Sequence, residues 1–188
     1  MKKVYRILSL DISSSTIGWA LFEYSRDGFA LVEYGHMKPS KKIESKKLSE
    51  RGAIFFPKMK EFLKKKAPDQ IIVEDYVQSF TKGRSSARTI IVCSFYNELV
   101  SMIAKLELGI STTSYPVTTL RKIIGNEIGK QIQGKEDVFN AVIDNFASFI
   151  LKKNLLNDNI RKESYDEADA IAVGWCHIIL ERKKKWED

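Results

Sequence analysis

The sequence predicts an α/β domain with a five-stranded mixed sheet, in which three antiparallel strands precede two parallel ones and helices flank the sheet. Three short apolar segments separated by tight turns open the chain, as in an antiparallel meander. Segments with helical periodicity then alternate with two more short apolar segments, and such strand–helix–strand units place their strands parallel. The 188 residues suffice for one hydrophobic core, so residues 1–188 are predicted to form a single domain.

Each element of the first half follows from a local pattern. The meander strands are expected at Val4–Leu10, Thr16–Tyr24 and Phe29–His36. Apolar residues at helical spacing predict a helix over Lys46–Lys66, which Pro57 should kink or split in two. The apolar segment Gln70–Glu74 predicts a central strand that is covered on both faces.

The second half alternates in the same way. Val77–Ser86 is polar and predicts a loop, and Ile110–Tyr115 predicts the fifth strand. Helices are expected at Ala87–Leu106, from Thr118 or Thr119 to Gly125, at Lys135–Lys152 and at Ser164–Lys183. Further loops are expected at Asn126–Gly134 and Asn154–Asp158.

Two acidic residues end neighbouring strands of the predicted sheet. Asp11 directly follows the first strand, and Glu74 ends the fourth. Because parallel neighbouring strands end at the same edge of a sheet, these two carboxylates are expected to converge there. Asp75 competes with Glu74, since successive strand residues point to opposite faces, and the sequence pattern alone leaves that choice open.

Two more acidic residues, Asp166 and Asp169, open the last predicted helix. At ~100° per residue, both lie on one flank of its apolar stripe, whereas Glu167 falls on the opposite flank and is expected to face solvent. Negative charge is favoured at any helix start, so this pair also has an ordinary electrostatic explanation. Four acids at compatible positions nevertheless favour one shared site.

A cluster of carboxylates needs cations nearby, because like charges in contact raise each other's pKa. Ligands that are all oxygen select Mg²⁺ or Mn²⁺. Two such ions about 4 Å apart would activate a water and stabilise the leaving oxygen of a phosphodiester. The chain has only two histidines, at no spacing typical of zinc ligands, so a zinc site is not expected.

The charge distribution favours a polyanionic partner. The net charge is +7, and eleven basic residues face only three acidic ones between Lys38 and Lys66. That segment is either a phosphate-tracking surface or an ordinary solvated helix face.

The remaining composition predicts a soluble intracellular protein that contacts no membrane. Cys93 and Cys176 lie in apolar helical patterns, which is typical of buried reduced thiols. The apolar segments are shorter than the ~20 residues that span a bilayer, and the N-terminal segment is unlike a signal peptide.

Three motifs resemble those of the RuvC-type Holliday-junction resolvases, which belong to the ribonuclease H-like superfamily. They are Leu-Ser-Leu-Asp-Ile-Ser-Ser-Ser-Thr-Ile-Gly-Trp-Ala around Asp11, Pro-Asp-Gln-Ile-Ile-Val-Glu at Glu74, and Asp-Glu-Ala-Asp-Ala-Ile-Ala from Asp166. They span nearly the whole chain in the family's order, although Ile12 and Ser13 replace the proline and glycine that commonly follow the first aspartate. The divergence and the Lys/Ile-rich composition suggest a phage, large-DNA-virus or organellar branch.

The resemblance implies a homodimeric, Mg²⁺-dependent, structure-selective endonuclease that nicks opposed strands of a four-way DNA junction in recombination and repair, without a small-molecule cofactor. It implies that metal binding and catalysis involve Asp11, Glu74, Asp166 and Asp169, with Lys135 as a further catalytic residue, and it favours Glu74 over Asp75. Phe80, after the fourth strand, would probe the junction. Further DNA contacts would come from Lys82, Arg84, Arg88, Arg121 and Lys135.

Three other functions fit parts of this pattern. A catalytically inactive DNA-binding module on the same fold would not need all four acids. A ribonuclease H acting on RNA–DNA hybrids places its last acidic residues differently. An actin-like phosphotransfer ATPase begins with a similar first motif, but it normally needs two such domains, for which 188 residues are too few.

Overall fold

The sheet of the computed structural model, which describes residues 3–38, 47–75, 87–147 and 162–186, has the predicted five strands. Their order is β3-β2-β1-β4-β5. They span Tyr5–Ile12 (β1), Ile17–Ser25 (β2), Gly28–Met37 (β3), Gln70–Asp75 (β4) and Ser111–Pro116 (β5). Strands β1, β2 and β3 pair antiparallel, and β4 and β5 extend the sheet parallel to β1. The prediction of a mixed sheet of three antiparallel and two parallel strands is therefore confirmed.

Helices cover both faces of this sheet. They span Leu48–Lys66 (α1), Ala87–Met102 (α2), Val117–Ile128 (α3), Lys135–Asn145 (α4) and Lys162–Trp186 (α5). A π-helical segment, Ile103–Leu108, extends α2 and ends at Gly109 with φ 68°. The buried residues form two cores, one between the sheet and α1 and α2, and the other between the sheet and α3, α4 and α5.

The alternation of side chains along β1 and β4 decides which face each residue serves. On β1, Ile7 belongs to the core under α5, whereas Leu8 and Leu10 belong to the core under α1. On β4, Ile72 lies under α5 and Val73 under α1. Continuing the two-residue period places Asp11 and Glu74 on the α5 face and Asp75 on the other face.

Small residues allow close packing between helix α5 and the sheet. Its predicted apolar stripe, from Ala168 to Ile179, is buried as expected. A Cβ at Gly174 would lie 2.4 Å from the ring of Phe22, so only glycine permits this approach. The buried Ser9 Oγ donates a hydrogen bond of 2.6 Å to the carbonyl oxygen of Ala170, which ties the helix backbone to β1.

Pro57 does not split α1, although a split is one of the two outcomes that the sequence predicts for it. The helix runs unbroken from Leu48 to Lys66 with Pro57 inside it. Its neighbours Phe55 and Met59 are both buried in the core under the sheet. Packing of these flanking turns outweighs the one backbone hydrogen bond that proline removes.

The sequence predicts that α3 ends at Gly125, but the helix does not end there. The helix continues to Ile128 and ends at Gly129, which has φ 68°. A Cβ at Gly125 would lie 2.6 Å from the carbonyl oxygen of Lys130. Gly125 therefore serves close packing of the returning chain, and Gly129 supplies the left-handed conformation that ends a helix.

The other predicted bounds differ by a few residues. Helix α4 ends at Asn145, while most of its predicted extension to Lys152 lies outside the described residues. The predicted loops Val77–Ser86 and Asn154–Asp158 also lie outside the described residues. Helix α5 begins at Lys162, two residues before the predicted Ser164.

Candidate active site

The candidate site begins with Asp11 and Glu74 at the carboxyl ends of two central strands. The parallel register pairs Leu10 with Val73, so the next residue on each strand brings these two acids side by side. Both lie on the α5 face, as the strand alternation requires. Asp75 is exposed and lies on the other face. The pleat of β4 thus places Glu74, and not Asp75, on the face that carries Asp11.

Gly18 brings the start of α5 against these strand ends. It lies directly opposite Asp11 in the β1–β2 register. A Cβ at Gly18 would lie 2.0 Å from the backbone carbonyl oxygen of Asp166, so the helix backbone occupies the space that a side chain would need. This contact places Asp166 next to Asp11 across the hairpin.

Asp166 and Asp169 are both buried, with 7% and 9% of their surface exposed. Because α5 begins at Lys162, Asp166 lies in its second turn and Asp169 lies later still. The favourable effect of a helix start on negative charge is confined to the first turn. The helix dipole therefore does not account for the two acids, and the ordinary explanation for them is weakened.

Electrostatic interactions link the four acids. Burial raises the pKa of Asp11 well above its ordinary value, and the charges of Glu74, Asp169 and Asp166 raise it further. Burial also raises the pKa of Glu74 to about 7, with Asp169 adding to the rise. The pKa of Asp169 is raised by burial as well. The predicted carboxylates thus meet at one place as a desolvated, mutually repelling group.

Lys135, the first residue of α4, supplies a positive charge to this group. Its Nζ donates a hydrogen bond of 2.8 Å to Oδ2 of Asp169. Burial alone would lower the pKa of Lys135, but the charge and hydrogen bond of Asp169 raise it above its ordinary value. The Lys135 charge in turn lowers the pKa values of Asp11 and Asp169 relative to what burial alone would give.

The loop before Lys135 is held by Asp137 and Arg121. Oδ2 of Asp137 accepts hydrogen bonds from the backbone N–H groups of Gln133, at 2.8 Å, and Gly134, at 3.0 Å. These two bonds hold the pKa of Asp137 below its ordinary value. Nη1 of Arg121 donates a hydrogen bond of 2.7 Å to the carbonyl oxygen of Gln133. The backbone that presents Lys135 is therefore fixed on both sides.

Apart from Lys135, the predicted DNA-contacting residues fall into three groups. Arg121 lies near the acids, since its charge lowers the pKa values of Glu74 and Asp169. Arg88 is exposed at the start of α2, beside α1 on the other face of the sheet. The residues expected in the loop after β4 lie outside the described part of the chain; they are Phe80, Lys82 and Arg84.

Glu167 does not face solvent, contrary to the sequence-based expectation. It is 3% exposed, and its Oε1 lies 2.7 Å from Nδ1 of His36 on β3. Burial and the charge of Glu167 raise the pKa of the nearby Tyr34 to about 12. The helical wheel placed Glu167 correctly on the flank away from Asp166 and Asp169. It could not show that the β2–β3 hairpin covers that flank.

Sequence patterns missed three positioning residues. Asp137 follows its cap position, Gly134, by three residues, as in a capping box, and this spacing was a usable signal. That Gly18 lies opposite Asp11 can be recognised only from the hairpin register. The pairing of His36 with Glu167 joins residues 131 positions apart, and no local pattern indicates it.

The donor chemistry of the site suits a hard divalent cation. The acids offer carboxylate oxygens, they are desolvated, and their repulsion would be relieved by positive charge. Among residues 3–38, 47–75, 87–147 and 162–186, no set of three or more His, Cys, Asp or Glu side chains is already arranged to hold a metal ion. The ammonium group of Lys135 instead pairs with one of the candidate ligands.

Comparisons with known proteins give a clear fold assignment. No protein-family model matches the chain, and no curated protein is significantly similar to it in sequence. The structure is similar to that of RuvC from Thermus thermophilus in complex with a Holliday junction substrate, with a TM-score of 0.69, 16% identity and 96% of each chain covered. It is also similar to the yeast mitochondrial Holliday junction resolvase Ydc2, with a TM-score of 0.70, 13% identity and coverage of 96% of this chain and 81% of that one.

The fold is that of the RuvC-type Holliday-junction resolvases. A further structure of Thermus thermophilus RuvC agrees, with a TM-score of 0.65, 18% identity and coverage of 95% of this chain and 96% of that one. The predicted ribonuclease H-like architecture is confirmed by this likeness. At these identities the RuvC-type likeness shows the fold, so the roles of the individual site residues stay predictions.

We predict that Gly18→Ala displaces the start of α5 and disrupts the site. The added Cβ must move the Asp166 backbone, whereas Gly174→Ala crowds the same helix against Phe22, five residues beyond Asp169. Both variants should lose about 1–3 kcal/mol of stability through overpacking. Only Gly18→Ala should also lose affinity for Mn²⁺, measured by calorimetry on folded protein. Equal Mn²⁺ binding by both variants would contradict the role assigned to Gly18.

We predict that metal-free Glu74→Gln gains stability over the natural chain as the pH rises from about 5 to about 8. Burial raises the pKa of Glu74 from 4.5 to about 7, so the folded protein holds a proton there that the unfolded chain has released. The stability that the folded protein gains from this bound proton is fully present below about pH 4.5 and is lost as the pH rises through about 7. Glutamine stays neutral throughout. Thermal unfolding in EDTA measures the gap between the two Tm values, which should widen with pH; a gap that narrows would refute the assignment.

Proposed function

We propose that this chain is a structure-selective endonuclease that resolves four-way DNA junctions by paired, metal-dependent hydrolysis of phosphodiesters. The observation that carries the proposal is the meeting of Asp11, Glu74, Asp166 and Asp169 at the edge of a RuvC-type sheet, with Lys135 among them. Buried acids with strongly perturbed pKa values are typical of functional sites. A DNA-binding module without catalysis would have no use for this arrangement.

The four acids would hold two divalent cations, Mg²⁺ or Mn²⁺, in each active site. When bound, such ions activate a water molecule and neutralise the charge that develops on a phosphodiester. The chain itself would orient the DNA backbone. Lys135 lies where its ammonium group could donate to a phosphate oxygen beside Asp169. Arg121 holds the loop that presents Lys135, and its charge favours the ionised forms of Glu74 and Asp169.

The apolar face of α2 supports the proposal of a homodimer, which would pair two active sites for two opposed cuts. Ile91, Met102 and Leu106 are 55%, 44% and 73% exposed along α2 and its π-helical extension. Contrary to the sequence-based expectation of shorter apolar segments, the helix Ala87–Leu108 is long and apolar enough to cross a membrane, by length and composition alone. Its other side, however, packs on the core under the sheet. Such an exposed apolar stripe on a packed helix is typical of a protein interface.

The proposed substrate is branched DNA, in agreement with the Holliday junction bound by the Thermus thermophilus neighbour. The net charge of +7 favours phosphate binding. The proposed setting is intracellular DNA recombination and repair. The proposed contacts from Phe80, Lys82, Arg84 and Arg88 rest on the family resemblance.

We predict that Asp11→Asn and Glu74→Gln abolish junction cleavage while junction binding survives. Replacing a metal-ligating carboxylate by an amide should cost more than about 100-fold in rate, since even residues that only support a ligand cost up to that much. Asp75→Asn is the matched control, because this acid adjoins Glu74 but lies on the opposite face. A labelled four-way junction and a linear duplex, each with Mg²⁺ or EDTA, measure cutting and binding.

The controls make this test decisive. The natural chain and Asp75→Asn should cut only the junction, and only with Mg²⁺. Cleavage retained by either active-site variant would refute the metal assignment. Absence of cutting by the natural chain, with junction binding intact, would instead favour the inactive DNA-binding module.

We predict that Leu106→Glu converts the protein to a monomer. The side chain is 73% exposed on the proposed interface, so a charge there should oppose association without harming the fold. Val32→Glu is the control, since Val32 is 41% exposed at the irregular β2–β3 pairing, remote from α2. Light scattering at matched concentrations measures mass. A natural chain that is already monomeric, or equal association of both variants, would contradict the α2 interface.

A further inference from the structure

We propose that Lys135 is a displaceable counter-ion of the carboxylate group, so that its ammonium holds Asp169 until a divalent cation takes its place. This inference rests on the proposed function and adds a regulatory property to it. Metal loading would be weak in the free protein and would strengthen when DNA offers Lys135 a different anion.

The first step is the geometry of the pair. Nζ of Lys135 lies 2.8 Å from Oδ2 of Asp169, which is a charge-assisted hydrogen bond. The carboxylate is a candidate metal ligand, so the same oxygen cannot give its full donor capacity to a cation and to the ammonium. Among the described residues, no group of acids is arranged to hold a metal ion as it stands. This agrees with an ammonium group that takes part of the place of a metal ion beside Asp169.

The second step is the difference in freedom between the two partners. The Asp169 side chain is 11% exposed, whereas the Lys135 side chain is 62% exposed. Asp169 is held by a buried helix, and the lysine ends a flexible four-carbon stem. Lys135 can therefore leave while Asp169 stays, which is the behaviour required of a displaceable counter-ion.

The third step is the anchoring of the lysine backbone. Asp137 caps the start of α4 through the N–H groups of Gln133 and Gly134, and Arg121 binds the carbonyl oxygen of Gln133. The main chain at Lys135 is fixed, while its side chain is exposed and can change conformation. An ammonium displaced from Asp169 therefore stays within one side-chain length of the acids, where it would meet a phosphate of bound DNA.

The fourth step is electrostatic. Lys135 interacts favourably with Asp169, Asp11 and Asp166, so it relieves part of their mutual repulsion when no metal is bound. A divalent cation among the same acids would relieve more of that repulsion and would repel the ammonium. The two cations therefore compete, and removal of the weaker one should strengthen binding of the other.

The test is a calorimetric titration of Mn²⁺ into metal-free protein without DNA. Lys135→Met keeps the length of the side chain and removes the charge, and it should bind Mn²⁺ about tenfold more tightly, a change of about 1.4 kcal/mol. Lys122→Met is the matched control, because Lys122 is an exposed lysine on α3 that forms no described contact with the acids. It should stay within about twofold of the natural chain, because exposed charges at a distance are screened.

A second readout separates displacement from a general loss of fold. In EDTA, Lys135→Met should melt below the natural chain, since the acids lose their counter-ion, and saturating Mn²⁺ should raise its Tm by more than that of the natural chain. Adding a short DNA duplex should tighten Mn²⁺ binding by the natural chain and change Lys135→Met much less.

The outcomes distinguish this inference from the function on which it rests. Equal or weaker Mn²⁺ binding by Lys135→Met, or an equal gain in Lys122→Met, would overturn the counter-ion role even if the natural chain cuts junctions. Absence of Mn²⁺ binding by every variant, together with absence of cleavage, would overturn both. Tighter binding by Lys135→Met alone, with slower junction cutting, is the expected result.

Discussion

The close contact between the backbone of α5 and the sheet is the constraint on which the site depends. It is made at two glycines, Gly18 under Asp166 and Gly174 against Phe22, and is tied between them by the hydrogen bond from Ser9 to Ala170. Larger side chains at these two positions would hold the helix farther from the sheet. Gly18 therefore acts on the chemistry indirectly, because it sets how near Asp166 comes to the strand-borne acids, whereas Gly174 allows the close packing of the helix beyond them.

Bringing four acids together in a desolvated place has an energetic cost, since burial alone raises the pKa values of Asp11, Glu74 and Asp169. The surrounding structure offsets only part of it. Lys135 contributes a direct ion pair, and Arg121 contributes from a greater distance while it bonds the loop. Electrostatic repulsion that the protein leaves uncompensated is typical of a site built for a ligand, because a bound cation then relieves it. The same unrelieved repulsion would make the proposed metal binding sensitive to the charge of Lys135.

The sequence predicted the sheet and its acids because both depend on local patterns. Asp11 and Glu74 end apolar strands, and the order of elements already implied that these strands are parallel neighbours. The decision between Glu74 and Asp75 required the register of β4, which only the assembled sheet provides. Glu167 and Gly125 were misjudged for one reason: a helical wheel or a glycine signal describes one segment, whereas burial by the β2–β3 hairpin and the close approach of Lys130 depend on another.

The two proposed functions, cleavage and subunit contact, lie on opposite faces of the sheet, and the carboxyl ends of the strands adjoin both. The acids lie under α5, while the exposed apolar residues lie on α2 across the sheet. Because β1, β3 and β4 all run in the same direction, their ends at Ile12, Met37 and Asp75 lie at one edge, where α1 and α2 also begin. A duplex bound along this edge would meet the acids from one face and Arg88 from the other. Cleavage and subunit contact could then vary separately, since the acids and the apolar stripe of α2 lie on different faces of the sheet.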